Sequence, residues 1–168
     1  MTDYTWAQCG TTSDFSLKTD QAGGARILAS NTLIGQTVTS ISGQLKNPSS
    51  ISGTSVLKCY STGDVLKATS DTINNTSITV GYGTVTFSNF SWTVVADDYF
   101  LVSTDTGSTM RILMSTNDPV CSAYTNAMED KGTPADIPSY DWIGTAVYGV
   151  EPVVAPTFLT PPIAVVHL

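Results

Sequence analysis

Residues 84–103 set the tightest limit on what this chain can fold into. Val85 and Phe87 alternate with Thr84, Thr86 and Ser88, the two-residue period of a half-buried strand. After a break at Asn89, the period resumes with Phe90, Trp92 and Val94. Ala96-Asp97-Asp98 is a short polar connection. Tyr99, Phe100, Leu101 and Val102 then form an apolar run of core-strand length and strong β propensity. The stretch predicts two closing antiparallel strands, aromatic on one face, on which other strands pack. Phe87, Trp92, Phe100 and Val102 are expected in the core, on facing sheets.

The rest of the chain repeats this signal at short intervals. Strands are predicted around residues 4–7, 26–29, 38–45, 54–60, 65–73, 109–115 and 141–150, with Gly, Pro and Asn turns between them. Within 38–45, the apolar positions Val38, Ile41, Gly43 and Leu45 alternate with one irregular step. Gly10, Gly23 and Gly24 read as breakers, which makes residues 1–24 an N-terminal arm or edge. Residues 25–150 read as one domain, with 117–140 as a long loop excursion carrying three prolines. Residues 122–129 are the one stretch that suits a helical turn or two. Residues 151–168 form an extended, apolar, Pro-rich tail. The expected fold is all-β, an antiparallel β-sandwich with jelly-roll topology ahead of an immunoglobulin-like one.

Charge narrows the partners. Only 12% of residues are charged, about half the usual share, and the net charge is −7. Five Lys and two Arg are scattered through the chain, so no basic patch exists to neutralise phosphates. Neither nucleic acid nor an anionic membrane is expected as a partner. Met1-Thr2-Asp3-Tyr4-Thr5-Trp6 has neither a basic nor an apolar leader character, so no secretory signal is expected. No run of 18 apolar residues is present, so no membrane-spanning helix is expected. Cys9, Cys59 and Cys121 are too widely spaced for a disulfide framework or a zinc site, and read as buried free thiols.

Chemistry-bearing residues are few. With one histidine, His167, zinc sites built on two histidines are excluded by count, and no phosphate-loop or nucleophile-elbow motif occurs. No catalytic residues and no cofactor are assigned. Eight of the fourteen acids lie between residues 97 and 141. Clustered carboxylates suit calcium, with Asp97, Asp98 and Asp105 as candidate ligands; a solvated acidic loop is the alternative. Tyr82, between Gly81 and Gly83, and the Tyr140-Asp141-Trp142 run are candidate glycan platforms, because stacking on a sugar ring needs an exposed aromatic face beside polar groups. Four prolines bar the tail from helix and from the middle of a sheet. Val153, Phe158, Leu159, Ile163 and Val165 in it are candidate assembly contacts, with 163–166 suited to pairing at a sheet edge.

Residues 33–103 also resemble a known group of domains. Val38 to Leu45, Ile51 to Thr54, Val56 to Tyr60, Leu66 to Ser70, Val85 to Phe87 and Ala96 to Val102 follow its order of strands and turns. The group comprises jelly-roll domains of phage and archaeal-virus structural proteins and is similar to carbohydrate-binding modules. The resemblance implies a non-enzymatic virion component, in a capsid decoration or a tail. Such a component would be made in the host cytoplasm and would assemble with copies of itself and other virion proteins. The alternative is a carbohydrate-binding, receptor-binding adhesive domain.

Overall fold

The structure is a computed structural model and describes residues 1–6, 11–116, 125–130, 134–137 and 140–149. Among these residues the chain forms fifteen strands and one turn of 3-10 helix, Asn75–Ser77. In chain order the strands are β1 Thr2–Trp6, β2 Thr12–Leu17, β3 Ala22–Ile27, β4 Thr37–Lys46, β5 Thr54–Tyr60, β6 Leu66–Thr69, β7 Ile73–Asn74, β8 Gly83–Phe87 and β9 Trp92–Thr93. They continue with β10 Tyr99–Thr104, β11 Met110–Thr116, β12 Thr125–Asp130, β13 Pro134–Ile137, β14 Tyr140–Trp142 and β15 Gly144–Gly149. No helix among the described residues is long and apolar enough to cross a membrane.

Two antiparallel sheets pack as a sandwich. One is organised on β4, which pairs with β15 and β11 along one side and with β8 and β9 along the other; β1, β2 and β14 complete it. The second runs β13-β12-β3-β10-β5-β6, with β7 also on β5. Alternation decides the layers. In β5 the residues Ser55, Leu57 and Cys59 are buried, while Thr54, Val56, Lys58 and Tyr60 are only partly so. Phe87 and Trp92 from the first sheet meet Phe100 and Val102 from the second, all at most 1% exposed. Trp92 and Trp142 both lie edge-on to the Phe100 ring.

The aromatic stretch lies where expected but is connected differently. β8 and β9 do not pair with β10; they face it across the core. Residues 94–98 are an arch between the sheets, not a hairpin. Period-two alternation reports which face a residue occupies, and is silent on which strand pairs with it.

Three further expectations are corrected. Residues 125–130, most of which fall in the stretch 122–129 read as helical, form strand β12 between β3 and β13, so part of 117–140 belongs to the sheet. Residues 1–24, read as an arm or edge, contribute β1 as an edge strand on β15, but β2 pairs with β11, and β3, which begins at Ala22, lies between β10 and β12. Gly23 and Gly24 are interior to β3. A Cβ on Gly24 would lie 1.8 Å from the Phe100 carbonyl oxygen, so here glycine permits close approach of two strands rather than a turn. The irregular step in β4 is real: Val147 pairs with Ser40 and Tyr148 with Val38, which leaves Thr39 as the extra residue of a bulge.

Candidate functional site

The polar chemistry of the described residues gathers in four places, three of which are structural. The first is Asp98, whose side chain is 3% exposed. Its Oδ2 accepts from Lys67 Nζ (2.6 Å), Trp92 Nε1 (3.2 Å) and the Val95 amide (3.0 Å). The second is the loop end around Asn75, where Ser55 and Thr104 hydroxyls and the Asn47 amide bond a fully buried Asn75. Beside it, Asp105 accepts from the Thr54 amide (2.6 Å) and hydroxyl (2.8 Å), and these bonds hold its carboxyl below the usual range. The third is the outer face of the second sheet. There Tyr99 stacks on Tyr60 at 5.1 Å and its hydroxyl donates a hydrogen bond to Asp64 (2.6 Å), with the Arg26 guanidinium over its ring.

These arrangements answer the calcium expectation. Asp98 is taken up by three donors inside the arch, Asp105 is bonded to Thr54 near the Asn75 loop, and the Asp97 side chain is exposed with a backbone φ of 64°. Asp97, Asp98 and Asp105 do not converge. Among the described residues no three acids, cysteines or histidines are placed to share a metal ion.

The glycan candidates separate. Trp142 is fully buried, and its indole N–H donates to the Ser42 carbonyl at 2.9 Å. It lies over Gly43, where an added Cβ would come within 2.3 Å of the ring. Trp142 is therefore a core residue and not a platform. Adjacent polar residues suggest exposure in sequence, but β14 meets β11 at the point where β15 meets β4, and that junction closes over the indole. Tyr140 is placed in β14 opposite Thr116. Tyr82 lies at the surface in the fourth cluster. Its hydroxyl donates to Asp14 in β2, Lys46 of β4 pairs with the same carboxylate at 2.9 Å, and the Lys46 ammonium is 4.4 Å from the centre of the tyrosine ring. Burial and the Asp14 bond raise the Tyr82 pKa; the Tyr82 and Lys46 bonds lower that of Asp14. Cys59 is a free buried thiol with its pKa raised by desolvation, as the spacing suggested. Cys9, Cys121 and the tail residues Val153, Phe158, Leu159, Ile163 and Val165 lie outside the described residues.

What the sequence reading missed is a sheet edge. Among the described residues β6 ends the second sheet and pairs on one side only, with β5; Val65 before it and its first residue, Leu66, are 64% and 53% exposed. Val95, on the nearby arch, is 54% exposed. An edge strand normally carries a charge that deters pairing. β6 has Lys67, but its ammonium reaches across to Asp98 and to the Thr93 carbonyl (3.0 Å) in the other sheet. Other edges are better guarded: β13 opens with Pro134 and bears Asp136, and β1 bears Asp3. The signal available in sequence was weak, two apolar residues after the Ser61-to-Asp64 turn.

Comparison with family models, with curated proteins and with solved structures finds no match to this chain.

Proposed function

We propose that this chain is a non-enzymatic structural subunit of a virion, a capsid decoration or tail component, that assembles through a sandwich edge and its terminal arm. The observation that carries the assembly part is the β6 edge, which among the described residues pairs on one side only and carries the exposed apolar Val65 and Leu66, on a scaffold whose buried carboxylate is internally paired. The virion setting, and a jelly-roll descent, rest on the resemblance of residues 33–103 and on the low-charge, Ser/Thr-rich composition. Purified full-length protein is expected to sediment as one defined oligomer or to co-purify with a large particle. A monodisperse monomer that joins no particle would refute it.

A second reading, a glycan-binding adhesive domain, draws on Tyr82. Its ring is held in one orientation by Asp14 and Lys46 on an outer face that also carries Gln44 bonded to Thr84. A sugar would stack on the ring face away from Lys46. Binding on a glycan array that Tyr82→Ala abolishes, in a protein that stays folded, would favour this reading over the first.

A further inference from the structure

We propose that the outer face of the first sheet, at Tyr82, Arg111 and Lys46, binds an acidic sugar, with the sugar ring on Tyr82 and its carboxylate on the Arg111 guanidinium. The inference rests on the glycan reading above and names the class of sugar.

Strand register builds the face. Met110, Ile112 and Met114 of β11 are buried in the core, so Arg111 between them points outward. Arg111 stands opposite Ser16 of β2 on one side and Lys46 of β4 on the other, and directly opposite residues share a face. Leu45 is opposite Gly83, so Tyr82 leads into β8 beside Lys46. Its side chain then crosses the face, past the Lys46 ammonium, to Asp14 in β2. Arg111, in the strand between, acts on the charge of both Asp14 and Tyr82. Residues far apart in the chain thus make one polar row from β2 to the start of β8.

Charge selects an anion. The chain carries −7 overall, but exposed charges beyond about 10 Å are largely screened, so a small ligand meets its local partners. Lys18, Arg26, Lys46 and Lys67 each pair with an aspartate. Among the described residues Arg111 and Lys58 are in no such pair. Lys58 stands opposite Leu101 and Thr69, whereas Arg111 has a second cation directly opposite. With Asp14 as the carboxylate of the row, its two cations leave positive charge in excess. The Arg111 Nη1 bond to Ser16 (3.0 Å) orients the guanidinium and leaves other N–H groups of the fork for a carboxylate, whose geometry they match. So small an excess does not suit a phosphate backbone, which needs many neutralised contacts.

The aromatic selects a sugar. Tyr82 is held at its hydroxyl by Asp14 and on one ring face by Lys46, so stacking costs little side-chain freedom. Gln44 and Thr84, bonded to each other at 2.8 Å, continue the same face and offer amide and hydroxyl groups to ring hydroxyls. A bare carboxylate would use Arg111 and leave these groups idle.

The test is a glycan array that carries uronic-acid and sialic-acid glycans beside their carboxyl-reduced forms, probed with the full-length protein. An acidic glycan is expected to bind about tenfold tighter than its reduced form, and less tightly as salt rises. This comparison needs no variant, so it stands even where a variant fails to fold. Arg111→Gln is expected to bring the acidic glycan down to the level of the reduced one, with Arg111→Lys between the two. Tyr82→Ala is expected to abolish binding of both, and acetate is expected not to compete. Reduced glycans that bind as well as acidic ones, or a difference that survives Arg111→Gln, would overturn the acidic-sugar assignment and leave the glycan reading standing. Sulfated glycans that bind as well as carboxylated ones, or competition by acetate, would overturn the carboxylate sugar as the ligand class. Acidic-glycan binding that survives Tyr82→Ala would overturn the site. An array on which no glycan binds would overturn both the inference and the glycan reading.

Discussion

Two Asp–Lys–aromatic clusters, one inside the arch and one on the surface, use the same residue types to opposite ends. Asp98 joins Lys67 and Trp92 with its side chain 3% exposed; Asp14 joins Lys46 and Tyr82 with its side chain 41% exposed. In the first, three donors converge on one oxygen of a side chain almost closed to solvent. Losing the carboxylate leaves an indole N–H and a backbone N–H without their acceptor and breaks the ion pair of a lysine that keeps only its bond to the Thr93 carbonyl. In the second, solvent screens the pair and competes for it, so its worth to stability is small. What differs is burial. Asp98 fixes the turn between the two sheets, whereas Asp14 orients a side chain.

The sharpest way to break this contrast is to remove each carboxylate. Asp98→Ala is expected to cost about 3–5 kcal/mol in urea unfolding, the usual result of orphaning a buried charge. A loss below about 1 kcal/mol would show that the arch is held by packing alone. Lys67→Met, which keeps the stem and removes the charge, is expected to cost about 1–3 kcal/mol. It should also free the β6 edge of its bond to Thr93, visible as faster amide exchange at residues 66–69. Asp14→Ala is expected to cost less than about 1 kcal/mol, and 1 M salt should erase most of the difference from the parent.

The smallest effects are in pH. Asp14 and Asp105 both have folded pKa values below their ordinary ones. Their contribution to stability is therefore fully present above the unfolded value of about 4 and is lost as pH falls through the lower folded values. Acid titration of Asp14→Ala should show a shallower decline below pH of about 4 than the parent. The raised pKa of Tyr82 works from the other side: its contribution is present below about 10 and fades as pH rises above it. Ultraviolet titration should show a late-ionising tyrosine component in the parent that moves earlier in Asp14→Ala. Unchanged late ionisation would assign that shift to burial alone.

How far the sequence could be read is clear from particular strands. β5 coincides with the apolar alternation of residues 54–60, and the bulge at Thr39 appears as a misstep in the period of β4. Both depend on local alternation, which a half-buried strand imposes on its own residues. β12 was misread because residues 122–129 have helix-tolerant composition, while pairing with β3 and β13 decides their state. Trp142 was misread because its neighbours in sequence are polar, whereas its neighbours in space are Gly43, Ser42 and Phe100.

The sequence by itself determined the class: low charge, short alternating runs and frequent turns leave an antiparallel sandwich, and the core places of Phe87 and Trp92 follow from period two. Only the tertiary structure decided who stands beside whom. It turned residues 94–98 into an arch, gave Asp98 rather than Asp97 the buried role, closed the core over Trp142 and, among the described residues, left β6 paired on one side only. The physical reason is that alternation is a property of a strand and its solvent, while pairing, burial of a single carboxylate and the exposure of an edge arise between segments far apart in the chain.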